Sequence, residues 1–242
     1  MPANQLIINL DNVSPTRAHQ ICNQLHHLDV RFSLGTRWLT SISVAAAIPI
    51  IKPEESSGSL LEMQLLMAKI HDRLIWDCRF FDTAAAILAS VLALRELNPW
   101  AFTMNGSTTF AGLVSAVQGR GKSHVFGVTI PDDMDQGEAL SFHGLGAQRY
   151  VLALAKRIMN AGGTGILCDA QEISILQHKD TRDLIKVATN VMPTWLDHVT
   201  FQQTPAGAIA AGANYLLLEA GVIDHPNPLE RTTQIMKELG LR

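Results

Sequence analysis

The sequence predicts an α/β protein and, within that class, a closed (β/α)8 barrel of the TIM type. Two patterns carry the expectation. Eight short apolar runs punctuate the chain, and helix-length segments separate them in β–α alternation. The length of 242 residues suits one such domain spanning 1–242. An open doubly wound sheet is the alternative that the same alternation allows. A chain of this size buries roughly three quarters of its unfolded surface, and a composition of 47% hydrophobic and 17% charged residues can fill that core.

Strands are expected at 6–10, 30–34, 74–80, 101–104, 125–130, 165–168, 185–189 and 215–218. They are continuous apolar runs rather than alternating ones, as when both faces of a parallel sheet are buried. Helices are expected between them, among them 14–27, 83–97, 148–161 and 204–211. His26-His27 closes the first, where polar rings can meet free carbonyls. Gly162-Gly163 stops the third, and Thr204-Pro205 opens the fourth with a capping residue before a proline. Residues 49–59 (PIIKPEESSGS) break the rhythm and are expected to form an inserted surface loop.

Composition narrows the function. A net charge of −3 gives no reason to expect a nucleic-acid partner or an anionic membrane. The three cysteines, Cys22, Cys78 and Cys168, are widely spaced, which fits a reducing compartment. The opening MPANQLIINLDN has no basic start and no long apolar core, so a cytoplasmic protein without a signal peptide or membrane span is expected. The nine histidines form no HxH or HExxH pattern, and no metal or other cofactor is expected. Residues 119–123 (GRGKS) lack the earlier glycine of a phosphate-binding P-loop, because Ala116 stands there, and they precede a strand rather than a helix. They are expected to be an ordinary basic turn.

Three segments, in order and at suitable separations, resemble orotidine 5′-phosphate decarboxylase. Residues 6–11 (LIINLD) are similar to the family's first strand and its terminal aspartate. Residues 77–82 (DCRFFD) are similar to the D-x-K-x-x-D motif ending the third strand. Residues 161–172 (AGGTGILCDAQE) are similar to the sixth-strand stretch A-G-x-D-G-V-V-C-S-A-Q-E. Thr204-Pro205 and residues 211–218 (AGANYLLL) continue the match, so the resemblance covers nearly the whole chain, with 49–59 the poorest fit.

The resemblance implies a homodimer with sites at the strand C-termini, no cofactor, and a small phosphate ester as ligand. Asp77, Arg79 and Asp82 would be the catalytic positions, and Asp11, Ser33, Asp169, Gln171 and Thr204 the substrate-binding ones. Asp82 would reach into the partner's site; it is also well placed as the N-cap of the following helix. The family decarboxylates with alternating lysines and aspartates, in which an ammonium next to a carboxylate stabilises the carbanion and protonates it.

Several positions depart from that pattern. Arg79 replaces the central lysine, and a guanidinium is a poor proton donor. Ser33 stands where a strand-two K-x-G triplet carries the other lysine, and Arg31 lies two residues earlier, farther from the mouth. Asp169 replaces the pyrimidine-contacting serine. Glu219-Ala220 replace the phosphate-binding Gly-Arg pair, leaving the helix N-terminus at Thr204 or the turn at Gly221 as substitutes. The expected function is therefore a non-catalytic or altered-function relative, the alternative being an active lyase on orotidine 5′-phosphate or a related sugar phosphate.

Overall fold

The computed structural model describes residues 5–51, 59–130, 134 and 136–241. Eight parallel strands close into a barrel in sequence order, with β1 (Leu6–Asn9) paired to both β2 (Arg31–Gly35) and β8 (Tyr215–Leu218). Between these lie β3 (Leu74–Phe80), β4 (Ala101–Asn105), β5 (His124–Val128), β6 (Gly165–Asp169) and β7 (Ile185–Val191). The open doubly wound alternative is thereby excluded. Each of the eight strands overlaps its expected position.

The connecting helices are α1 (Pro15–Leu25), α2 (Thr36–Ile51), α3 (Ser59–Ile70), α4 (Ala84–Arg95), α5 (Phe110–Gly119), α6 (Gln136–His143), α7 (Ala147–Asn160), α8 (Pro205–Ala211) and α9 (Pro228–Glu238). A 3-10 segment, Ala170–Gln177, bridges β6 to β7. The segment expected as a loop at 49–59 is described only at its ends. It begins inside α2, which continues to Ile51, and α3 starts at Ser59; residues 52–58 lie outside the described residues.

Helix starts follow the local chemistry. Ser14, Thr83, Thr109, Thr204 and Asn227 each accept a backbone N–H from three residues ahead, and prolines open α1, α8 and α9. Asp82 is thus not the cap of α4; Thr83 takes that place. At the end of α7, Gly162 (φ 87°) turns the chain, and Gly163 N–H returns to the Ile158 carbonyl at 2.9 Å. The GRGKS stretch is a turn between α5 and β5.

The core has two parts. Outward-facing strand residues such as Ile8, Phe32, Leu34 and Phe102 pack against the helices. Ile7, Ile75, Ala101, Phe126, Leu167 and Val187 pack together inside the barrel. Below them the Arg31 guanidinium lies 4.0 Å from the Trp100 ring and 4.9 Å from Tyr215, so Arg31 belongs to the barrel floor. Among the described residues, no helix is long and apolar enough to cross a membrane. Cys22, Cys78 and Cys168 are all buried.

Candidate active site

The strand C-termini surround a cavity of about 600 Å³, the position that barrels of this type use for ligands. Asn9 and Asp11 enter it from the β1 end, Asp77 and Arg79 from β3, Thr189 and Asn190 from β7, and Leu217 and Glu219 from β8.

Two irregular strands shape the rim. Between Trp76 and Phe80, β3 loses register with β4, and Arg79 sits at φ 46°. Between Ala188 and Val191, β7 loses register with β8, and Asn190 sits at φ 51°. Bulges of this kind re-aim side chains, and left-handed backbone at non-glycine residues concentrates at functional sites.

Thr103, fully buried on β4, fastens the first bulge. Its hydroxyl donates to Asp77 Oδ1 at 2.7 Å and accepts the Arg79 backbone N–H at 2.9 Å. The Arg79 side chain folds back so that Nε (3.1 Å) and Nη2 (3.0 Å) both donate to Asp77 Oδ2. The guanidinium remains half exposed while Asp77 is mostly covered.

Beside this pair, Asp11 Oδ1 accepts the Gly35 N–H at 3.0 Å. A Cβ at Gly35 would lie 2.6 Å from Asp11 Oδ2, so any larger residue there would displace the Asp11 carboxylate. Burial raises the Asp11 carboxyl above its ordinary range, the charges of Asp77 and Glu219 push the same way, and the Gly35 N–H and Arg37 oppose them. Glu219 is held by the side-chain amides of Asn9 (3.1 Å) and Asn12.

No family model matches the chain. It is 23% identical to the orotidine 5′-phosphate decarboxylase of Marinomonas sp. (strain MWYL1), over 98% of this chain and 97% of that protein. It is 25% identical to the enzyme of that name from Nitrosococcus oceani, over 99% of each chain. It superposes on the crystal structure of orotidine 5′-phosphate decarboxylase from Lactobacillus acidophilus with a TM-score of 0.76, at 18% identity, over 97% of this chain and 98% of that one. The chain is a divergent homologue of orotidine 5′-phosphate decarboxylase.

Of the residues that the decarboxylase resemblance singled out, Asp11, Asp77 and Arg79 meet in the cavity, with Glu219 and Ala220. Ser33 is buried in β2, paired with Asn9 and Ile75, and does not line it. Asp82 is exposed and accepts the Thr83 N–H at 2.6 Å. Asp169 caps the 3-10 segment by accepting the Gln171 N–H at 2.7 Å, and its other oxygen accepts from Asn190 at 2.8 Å. Gln171 is exposed, and Thr204 is occupied as the α8 cap.

Residues not expected from the sequence are Asn9, Asn12, Thr103, Thr189, Asn190 and Asp224. A signal was available for most of them, since polar residues at strand ends face the mouth. Asn9 and Asn12 flank Asp11, and Thr189-Asn190 stand near the C-terminal end of β7. Among the described residues, no group of three or more His, Cys, Asp or Glu side chains is arranged to hold a metal ion.

Proposed function

We propose that this barrel is an altered-function relative of orotidine 5′-phosphate decarboxylase, whose mouth binds a small molecule without decarboxylating orotidylate. The observation that carries this reading is the state of Arg79. Decarboxylation leaves a ring carbanion that needs a concentrated positive charge and a proton. A guanidinium keeps its proton below pH ~12, and two of its nitrogens are already turned onto Asp77. At the strand-two position Ser33 supplies no charge. Glu219 stands in the cavity wall where a phosphate dianion would need a cation. The proposal invokes no cofactor.

Direct assay tests it. Purified protein is expected to release no carbon dioxide from orotidine 5′-phosphate above background, and its gene is expected not to rescue a pyrimidine auxotroph. Turnover by the unmodified chain would overturn the proposal. Arg79→Lys with Ser33→Lys is expected to gain measurable decarboxylation if these two positions block the chemistry. A lyase acting on another sugar phosphate is the second reading; it is favoured by the acid–cation pair that Asp77 and Arg79 keep beside Asp11.

We also propose a homodimer that completes the mouth. Asp82 is exposed outside its own cavity, and Phe81 (65% exposed), Phe110 (46%) and Leu140 (58%) follow β3, β4 and β5 on neighbouring connections. Exposed aromatic and aliphatic side chains of this size favour burial against a partner. Sedimentation velocity is expected to give twice the chain mass, and Phe81→Asp to shift it toward the monomer.

A further inference from the structure

The cavity has an uneven inventory of polar groups. Among the described residues, four carboxylates line it, from Asp11, Asp77, Glu219 and Asp224, against the guanidinium of Arg79. Four side-chain donors at the rim are turned onto the protein's own acids. Asn9 and Asn12 donate to Glu219, Asn190 donates to Asp169, and Arg79 donates to Asp77. Arg17 and Arg37 lie outside the cavity lining and donate to backbone carbonyls of Ile223, His225 and Asp11, so only the charge of Arg37 reaches the wall, at Asp11. The remaining capacity is mostly that of acceptors. Val13, Val191, Met192, Leu217 and Ile223 add an apolar surface to the same space.

Such a site favours a donor-rich guest with positive charge and a short hydrocarbon body. Carboxylates are acceptors only, and an anion placed among them meets like charge without a free fork to hold it. A bare metal ion fits less well, since among the described residues the acids are spread around the cavity rather than clustered as ligands. We propose that the barrel mouth selects a small organic ammonium ligand and excludes phosphate monoesters. The proposal rests on the reading that this cavity is a ligand site, and it names the class of ligand.

Calorimetric titration of the full chain at low salt tests it with three probes: putrescine, 1,4-butanediol as its uncharged analogue, and ribose 5-phosphate. Putrescine is expected to bind at least tenfold more tightly than butanediol, and its affinity to fall as salt is added. Glu219→Gln and, separately, the exposed Asp224→Asn are each expected to weaken putrescine at least threefold while leaving the thermal unfolding cooperative. Putrescine bound equally by both variants overturns the proposal. Ribose 5-phosphate bound more tightly than putrescine overturns the ammonium class but leaves the cavity as a ligand site. Silence of all three probes overturns both readings together.

Discussion

At Arg79 the backbone lies at φ 46°, a region that costs a side chain about 1–2 kcal/mol relative to right-handed backbone. The ion pair with Asp77 is half exposed on the arginine side, and such pairs return about 0–1 kcal/mol. The two terms nearly cancel, so Arg79→Gly is expected to change unfolding free energy by less than about 1 kcal/mol. A loss of several kcal/mol in a denaturant melt would show that Arg79 serves the fold rather than the cavity. Thr103 is the reverse case. Its buried hydroxyl holds both Asp77 and the Arg79 N–H, so Thr103→Val leaves two polar groups without that partner and is expected to cost about 1–3 kcal/mol in the same melt. Asp11 has a distinct pH signature. Its carboxyl is raised above the ordinary 3.8, chiefly by burial. A carboxyl raised in this way contributes stability below its unfolded pKa, and that contribution is lost as pH rises through the folded value. Asp11→Asn escapes the loss and can still accept the Gly35 N–H, so its Tm relative to wild type is expected to climb as pH rises above the ordinary carboxyl value of 3.8. A flat or falling difference would contradict the burial of this carboxyl.

The elements show what apolar patterning can and cannot locate. All eight strands were legible because each must bury both faces, which leaves a run of apolar residues such as Ile166 to Cys168. The caps at Ser14, Thr83 and Thr204 were equally legible, since capping depends on residues three positions apart. The bulges in β3 and β7 were not. They arise from register with β4 and β8, which is a relation between distant segments, and neither Arg79 nor Asn190 announces a left-handed backbone locally. Part of the site was readable for the same reason that part was hidden. Asp11, Asp77 and Arg79 belong to contiguous motifs, whereas Thr103 matters only because β4 lies beside β3. Packing between elements gives a further test. A Cβ at Gly127 on β5 would approach Ile158 Cδ1 on α7 to 1.9 Å. Gly127→Ala is therefore expected to cost about 1–3 kcal/mol, and Ile158→Val in the same chain to recover part of it. Additive losses in a double-mutant cycle would mean that the two positions do not share this contact.

At the scale of the whole molecule, the barrel is closed and the chain is similar over nearly its whole length to proteins named orotidine 5′-phosphate decarboxylase. Ile7, Ile75, Phe126 and Val187 pack inside the barrel above a floor built on Arg31 and Trp100. The cavity above them holds four carboxylates and one guanidinium that is already paired. That inventory is what the proposed function rests on, a barrel that serves another ligand rather than orotidylate. The most direct measurement is calorimetric titration with barbituric acid ribonucleotide, an anionic mimic of the decarboxylation intermediate. The account expects no heat of binding at millimolar ligand, because Arg79 is held by Asp77 and Glu219 stands in the cavity wall. Saturable binding at micromolar ligand, lost on Arg79→Ala, would contradict it.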